Sequence, residues 1–176
     1  MATTQLPPAV KSLIGVESDL VEGPDEVCKP MIRHWCEMVE DANPLYTDDE
    51  YAKDSEFGEV ISPPVMARTW TMPPWWSPQP YQEDQSNPLA QVIQALESIS
   101  QIQLEIEEEY FLPIRLGDRL SCTTTVTNVT PPKRTRLGLG HFVTYLLKYR
   151  NQRGEVVSTL RATLLLLCRD PDKKGP

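Results

Sequence analysis

Residues 156–168, VVSTLRATLLLLC, form the stretch from which the fold can be argued. The apolar run near its end, Leu164 to Cys168, is typical of a strand buried on both faces. Just before it, residues 151–154 (NQRG) are typical of a hairpin loop, and residues 142–150 have the composition of the preceding strand. We therefore predict that the chain ends in two paired strands.

Two earlier segments also have the period of a strand. Apolar residues alternate with polar ones, chiefly glutamates, over residues 102–112, and the alternation returns over residues 120–126. A turn at residues 116–118 (LGD) separates the two segments. These patterns predict a meander of about four long strands, with one further strand over residues 13–21.

The first half of the chain instead has helical spacing. Residues 30–40 carry Ile32, Trp35, Cys36 and Val39 on one apolar face, and Pro30 suits a first helical turn. Shorter helices are expected at residues 48–53, at residues 65–72, and after an N-cap at Asn87 with Pro88 following it. Helices followed by strands predict a single α+β domain, with the helices on one face of an antiparallel sheet.

Composition bounds the class of protein. The 176 residues carry a formal net charge of -8, which argues against nonspecific nucleic-acid binding, because such binding needs a basic surface. The longest apolar run is too short to span a bilayer, and residues 1–15 contain no apolar stretch of signal-peptide length. Four cysteines without metal-ligand spacing and only two histidines favour reduced thiols in a cytoplasmic protein with no metal. We expect a flexible segment at residues 1–11, a domain at 12–169 and a disordered tail at 170–176.

Several segments together resemble the MaoC-like dehydratase family. They are residues 30–35 (PMIRHW) with 41–46 (DANPLY), 61–66 (ISPPVM), 137–144 (LGLGHFVT) and 149–157 (YRNQRGEVV). The resemblance covers about residues 12–169 and is closest to the N-terminal-type subunits of heteromeric steroid and fatty acyl-CoA hydratases. It implies a hot-dog fold, in which a long central helix is wrapped by an antiparallel β-sheet.

The family's chemistry uses an Asp and a His about five residues later to hold and activate a water. In this sequence Asp41 stands at the first position, but Tyr46 stands at the second. A phenol with an ordinary pKa near 10 is a poor acid–base group at pH 7. The resemblance thus implies an enoyl-CoA hydratase subunit whose partner hot dog supplies the catalytic Asp and His. A role of Asp41 limited to ending a helix remains open.

The resemblance also implies a substrate-binding set. The backbone N–H groups near Val65 and Met66 would polarise the thioester carbonyl. Residues expected to line the acyl pocket are Asn43, Tyr46, Pro64, Val65, Met66, Trp70, Trp75, Trp76 and His141. Residues expected to bind the phosphates of coenzyme A are Lys133, Arg134 and Arg136. The structural alternatives are a strand position for His141, core positions for the tryptophans and a solvated loop tip for the basic cluster.

Coenzyme A enters this interpretation as part of the substrate, and no metal or redox cofactor is implied. The partner would be a second MaoC-like subunit or another copy of this chain, in a dimer or a dimer of dimers, with no nucleic acid and no membrane. Two rival functions remain. One is a self-sufficient homodimeric hydratase or acyl-CoA thioesterase that uses Asp41 with a group such as His141. The other is a nonenzymatic acyl-CoA-binding or assembly subunit.

Overall fold

The computed structural model describes residues 5–74, 76, 78 and 86–169. Its helices are α1 (Pro8–Leu13), α2 (Lys29–Val39), α3 (Pro44–Thr47), α4 (Asp49–Lys53), a 3-10 helix (Pro64–Met66), α5 (Ala67–Thr71) and α6 (Pro88–Ala95). Its strands are β1 (Val21–Glu22), β2 (Ile61–Ser62), β3 (Ser100–Tyr110), β4 (Ile114–Arg115), β5 (Ser121–Val129), β6 (Lys133–Arg134), β7 (Leu139–Arg150) and β8 (Val156–Leu167). The order confirms the α+β class, because every long strand follows the last helix.

The main sheet is antiparallel, with the strand order β1-β5-β7-β8-β3 and with β6 paired to β7. A separate pair joins β2 to β4. The consecutive residues Leu164, Leu165 and Leu166 of β8 are all buried, which confirms burial on both faces of that strand. Strand β8, with which the sequence analysis began, is therefore an inner strand, whereas β3 forms an edge of the sheet.

The helices cover one face of this sheet. Helix α1 packs against α6, and both contact β5. The fully buried side chains of Val10 in α1, Val92 in α6 and Val126 in β5 belong to one hydrophobic cluster. This packing of short amphipathic helices on a sheet removes the apolar faces of both layers from water. None of the helices in the described ranges has the length and hydrophobicity needed to cross a bilayer.

Local signals placed the helix ends well. Helix α2 occupies the predicted segment and ends where Glu40 adopts a left-handed conformation with φ of 58°. The Asn87 side chain accepts hydrogen bonds from the backbone N–H groups of Leu89 and Ala90, as expected of an N-cap. These ends depend on contacts within a few residues, which is why a short sequence motif predicts them.

Two expectations for the N-terminal region need correction. Part of the segment expected to be flexible, residues 1–11, forms helix α1, because Val10 is buried against the core. The strand predicted over residues 13–21 is largely irregular. Its backbone follows β5 through hydrogen bonds from Gly15 and Ser18, but regular strand pairing is confined to β1.

The helix expected to be long and central is short. After the 3-10 helix, α5 spans five residues and ends at Met72, whose ψ of 134° is extended. Proline at residue 73 disfavours a helical conformation in the residue before it, and Pro74 lacks the N–H that would continue the helix. Of the described residues after Pro74, the next helical ones belong to α6, so the helical layer consists of several short pieces.

Candidate functional site

The segment that follows α2 forms a tight double turn. The backbone N–H of Asp41 donates to the Cys36 carbonyl at 2.9 Å, and Asp41 Oδ1 accepts from the backbone N–H of Asn43 at 3.0 Å. Asn43 Oδ1 in turn accepts from the N–H of Leu45 at 3.1 Å, which caps helix α3. The side chains of Asp41 and Asn43 therefore both stabilise the local backbone, and one carboxylate oxygen of Asp41 is occupied by its hydrogen bond.

Tyr46 lies on the short helix α3, which this turn positions. Its ring is half-buried and packs against the edge of the hydrophobic core. Burial, and next the Asp41 carboxylate, raise the pKa of Tyr46 above its ordinary value, while a hydrogen bond with Asn43 acts in the opposite direction. The phenol is therefore neutral at physiological pH and cannot replace an imidazole as a base.

Cys36 lies close to Asp41 as well, although the sequence analysis placed it only on the apolar face of a helix. It is buried, and burial followed by the Asp41 carboxylate raises the pKa of its thiol. A raised pKa keeps the thiol protonated at neutral pH, so Cys36 is not an activated nucleophile. The spacing of Cys36 and Asp41, about one helical turn and a cap, is the signal that could have placed them together.

A small cavity of about 240 Å³ opens beside Tyr46. It is lined by Lys29, Pro30, Arg33, Tyr46 and Thr47. Lys29 also pairs with Asp49 at 2.5 Å, and Arg33 lies 3.6 Å from Glu37, so both cations already have acidic neighbours. Lys29 and Arg33 were not among the predicted site residues. Their separation of four positions on one helix face is the signal that brings them to this opening.

The segment expected to carry oxyanion donors, residues 64–66, forms the 3-10 helix. The Met66 N–H donates to the Pro63 carbonyl at 2.9 Å, and the Met66 side chain is fully buried in the core. Val65 is 46% exposed. The Met66 amide is thus used within its own turn, which differs from the expected role as a free donor to a thioester oxygen.

Trp70 lies in the core rather than in the wall or lid of a cavity. Its side chain is 4% exposed, and Nε1 donates a hydrogen bond to the buried Ser62 hydroxyl at 2.9 Å. Trp70 was expected to line the pocket, but the contact with β2 satisfies its polar atom inside the protein. Trp76 is 77% exposed, and Trp75 lies outside the described residues.

His141 lies near the start of β7, an internal strand of the main sheet, and is buried. Its Nδ1 donates to the Thr130 carbonyl at 2.8 Å, and the Thr130 hydroxyl accepts from the Phe142 N–H at 3.0 Å. Because a carbonyl can only accept, this bond fixes the proton on Nδ1. In the described structure the ring therefore joins β7 to the end of β5, and its hydrogen-bond partner is not a residue of the Asp41–Tyr46 segment.

The basic cluster forms the tip of a hairpin rather than a free loop. Lys133 and Arg134 make up β6 and pair with Gly140 and Leu139 of β7. The Lys133 ammonium lies 5.7 Å from the centre of the Phe142 ring, within the range of a cation–π contact. Arg136 is exposed in the connecting turn. The hairpin holds all three cations in one ordered, solvent-facing element.

The chain matches a described protein family and is similar to named relatives. Residues 12–160 match the family described as "FAS1-like, dehydratase domain region". A protein from Thermomonospora curvata named "Probable enoyl-CoA hydratase alpha subunit" is 37% identical over 146 residues, which are 81% of this chain and 46% of that protein. The "3-oxo-4,17-pregnadiene-20-carboxyl-CoA hydratase alpha subunit" of Mycobacterium tuberculosis is 30% identical over 119 residues, 68% of this chain and 38% of that protein. The chain thus spans less than half the length of these two relatives.

Solved structures support the same fold. A chain in the crystal structure of the ChsH1-ChsH2 complex from Mycobacterium tuberculosis superposes with a TM-score of 0.81 at 26% identity, covering 91% of this chain and 94% of that one. The (R)-hydratase of A. caviae superposes with a TM-score of 0.59 at 18% identity, covering 87% and 96%, and shows the fold alone. This chain has the hot-dog fold of the MaoC-like proteins and belongs to the family of FAS1-like dehydratase domains.

Proposed function

We propose that this chain is a subunit of an enoyl-CoA hydratase, in which a second hot-dog subunit supplies the catalytic Asp and His. The observation that carries the proposal is the neutral, half-buried phenol of Tyr46 at the position where the resemblance implies a histidine. The relatives named as hydratase alpha subunits support the same reaction class. The substrate class is a trans-2-enoyl-CoA, of an acyl chain or a steroid side chain.

The reaction adds water reversibly across the double bond of an enoyl thioester. A carboxylate accepts a proton from water, the oxygen bonds to the β-carbon, and an acid delivers a proton to the α-carbon to give a 3-hydroxyacyl-CoA. Two groups with pKa values on opposite sides of neutrality are needed. The coenzyme A thioester is the substrate, and the reaction as proposed requires neither metal nor redox cofactor.

The candidate residues Asp41, Tyr46 and His141 do not form such a pair. Asp41 is engaged by the Asn43 N–H, Tyr46 is protonated at neutral pH, and the His141 ring bonds to the Thr130 carbonyl inside the sheet. The self-sufficient homodimer that would use Asp41 with His141 is therefore less well supported than the heteromer. Within the heteromer, we propose that this chain shapes the acyl pocket through the turn that carries Tyr46.

The test is an activity measurement on the purified chain alone and after co-purification with a second MaoC-like subunit that has an intact Asp and His. Hydration is followed by the loss of absorbance of the conjugated enoyl thioester. The chain alone should be slower than the mixed complex by ~100- to 10,000-fold, the range for loss of an acid–base group. Ordinary enzymatic rates from the chain alone would favour the self-sufficient homodimer. Tight acyl-CoA binding without turnover in any combination would favour a nonenzymatic subunit.

For the phosphates of coenzyme A, we propose the β6–β7 hairpin, which carries Lys133, Arg134 and Arg136. An ordered element that presents three cations lowers the entropy lost when phosphates bind. Replacing all three by Gln should weaken binding of coenzyme A to the mixed complex, with a smaller effect on a pantetheine thioester that lacks the nucleotide phosphates. An equal loss for both ligands would place the phosphates elsewhere, with the cavity beside Lys29 and Arg33 as the alternative.

A further inference from the structure

Strand β3 is a long, exposed edge of the main sheet. It spans eleven residues and pairs with β8 on one side, while its other side has no strand partner within the described part of the chain. Large apolar side chains on and just after it are about half exposed, including Leu104 (48%), Ile106 (50%), Tyr110 (48%) and Phe111 (53%). Edge strands with these properties are templates for pairing with another chain.

The same strand carries a row of three acidic side chains on one face, Glu105, Glu107 and Glu109. In register with β8, Ile106 lies opposite the buried Ala162, whereas Glu107 lies opposite the exposed Arg161. Because directly opposite residues point to the same face, Ile106 faces the core and the row of glutamates faces outward. This outward row is called the glutamate ladder below.

The ladder opposes pairing of β3 with a second copy of itself. Two copies of β3 that pair antiparallel about a two-fold axis must place their outer faces on the same side of the joined sheet. Over this segment, the odd-numbered residues of one copy therefore lie opposite odd-numbered residues of the other copy. With Glu107 on the axis, Glu105 faces the Glu109 of the other copy. Shifting the register by two places Glu105 opposite Glu107. Either register juxtaposes carboxylates directly across the strands, which is destabilising.

Resting on the proposed function and its second subunit, we propose that the glutamate ladder selects the partner. The ladder fits a hot-dog subunit whose own edge strand carries lysine or arginine on its outer face, and it disfavours a homodimer through this edge. Apolar residues such as Ile106 supply buried area for any partner, whereas the charges discriminate between partners. The occupant of the β3 edge is therefore a basic-edged partner rather than a second copy of this chain.

The test pairs the full-length chain with a charge-reversed copy that serves as the basic-edged probe. That copy carries Glu105→Lys, Glu107→Lys and Glu109→Lys. In sedimentation or native mass spectrometry at low salt, the mixture should form a mixed dimer with a Kd lower than that of either homodimer by on the order of ten-fold or more. The difference should shrink near about 0.5 M salt, because exposed charges are screened there.

A matched control carries the same change in charge at exposed glutamates away from the edge, Glu26→Lys, Glu40→Lys and Glu56→Lys. It should not form the mixed dimer. Should the triple lysine copy fail to fold by circular dichroism, replacing the three ladder residues by Gln removes the repulsion, and that variant should homodimerise at least about ten-fold more tightly than the wild type.

Two results would overturn the selection by charge. One is a wild-type homodimer whose Kd is as low as that of the mixed dimer. The other is a folded triple lysine copy, or a folded Gln variant, that associates no more tightly than the control. Neither measurement involves catalysis or the natural partner. A failure here therefore leaves the proposed hydratase role standing, and an inactive complex would leave the charge selection standing.

Discussion

Replacing Asp41 by Asn separates the two roles that its carboxylate could have. Asp41 Oδ1 accepts the Asn43 N–H at 3.0 Å, and the Asp41 backbone N–H donates to the Cys36 carbonyl at 2.9 Å. An asparagine keeps a side-chain oxygen at the same distance along the chain, so the turn can form unchanged. It removes only the negative charge and the ability to accept a proton in catalysis.

The matched variant Asp41→Ala removes the acceptor as well. The half-buried Asn43 N–H then loses its partner, and loss of a capping acceptor of this type costs about 0.5–2 kcal/mol of the free energy of unfolding. Asp41→Asn should change that free energy by less than about 0.5 kcal/mol. Since Asp41 raises the pKa of Tyr46, both variants should lower it, which a spectroscopic titration of the phenol measures.

The assay is hydration of a trans-2-enoyl-CoA by the co-purified mixed complex, alongside urea unfolding of each variant. If this chain contributes no base, Asp41→Asn should leave the rate within about three-fold of wild type, because a change that small lies far below the ~100-fold expected for an acid–base group. Substitution of the Asp or His of the second subunit should abolish activity.

A rate loss of ~100-fold or more for Asp41→Asn, in a complex that still co-purifies and unfolds normally, would refute the reasoning. Asp41 would then be a working base, and the catalytic half would have been assigned to the wrong subunit. A loss seen only with Asp41→Ala would instead reflect damage to the turn that positions Tyr46.

Three further changes test the packing around the site. Trp70→Phe removes the indole donor to the buried Ser62 hydroxyl and should lower the free energy of unfolding by about 1–3 kcal/mol, as urea denaturation would show; a loss near zero would mean that the bond contributes nothing. Gly23→Ala should cost about 1–3 kcal/mol in the same assay, because a Cβ there would lie 2.0 Å from the Trp70 carbonyl oxygen. For Tyr46, whose pKa is raised in the folded protein, the neutral phenol contributes stability below a pH of about 10 that is lost at higher pH. The free energy of unfolding of wild type should therefore fall relative to Tyr46→Phe between neutral and strongly alkaline pH, and a constant difference would contradict the burial of the phenol.

Most of the fold could be predicted from the sequence. Alternation over residues 102–112 and 120–126 anticipated β3 and β5, because a strand places successive side chains on opposite faces whatever its partners. Proline and asparagine predicted the starts of α2 and α6 for a similarly local reason. The helix predicted over residues 65–72 is present as the 3-10 helix and α5, and Pro73 and Pro74 end it; the family resemblance had implied a longer central helix than the five residues of α5.

The candidate site was predictable only in part. The segment from Asp41 to Tyr46 was chosen as the candidate site on the family resemblance, and its turn follows from Asn43 and Pro44. The sequence could not predict whether Trp70 and His141 are buried or line a pocket. Both side chains are apolar or amphipathic enough to be found in either place. In the structure, Trp70 donates a hydrogen bond to Ser62 and His141 donates one to Thr130, and both side chains are buried. The spacing of residues along the chain does not predict these contacts.

The sequence by itself determined the α+β class, the helix caps and the strand periods, and it has Tyr46 where the family resemblance implies a histidine. Each of these depends on residue chemistry or on backbone geometry within about one turn. Only the tertiary structure decided that β3 is an edge, that three of its four glutamates face outward, and that Cys36, Asp41 and Tyr46 share one environment. Strand order and burial arise from pairing between segments far apart in the chain, and the pKa of a side chain follows from the charges and solvent that this pairing places around it.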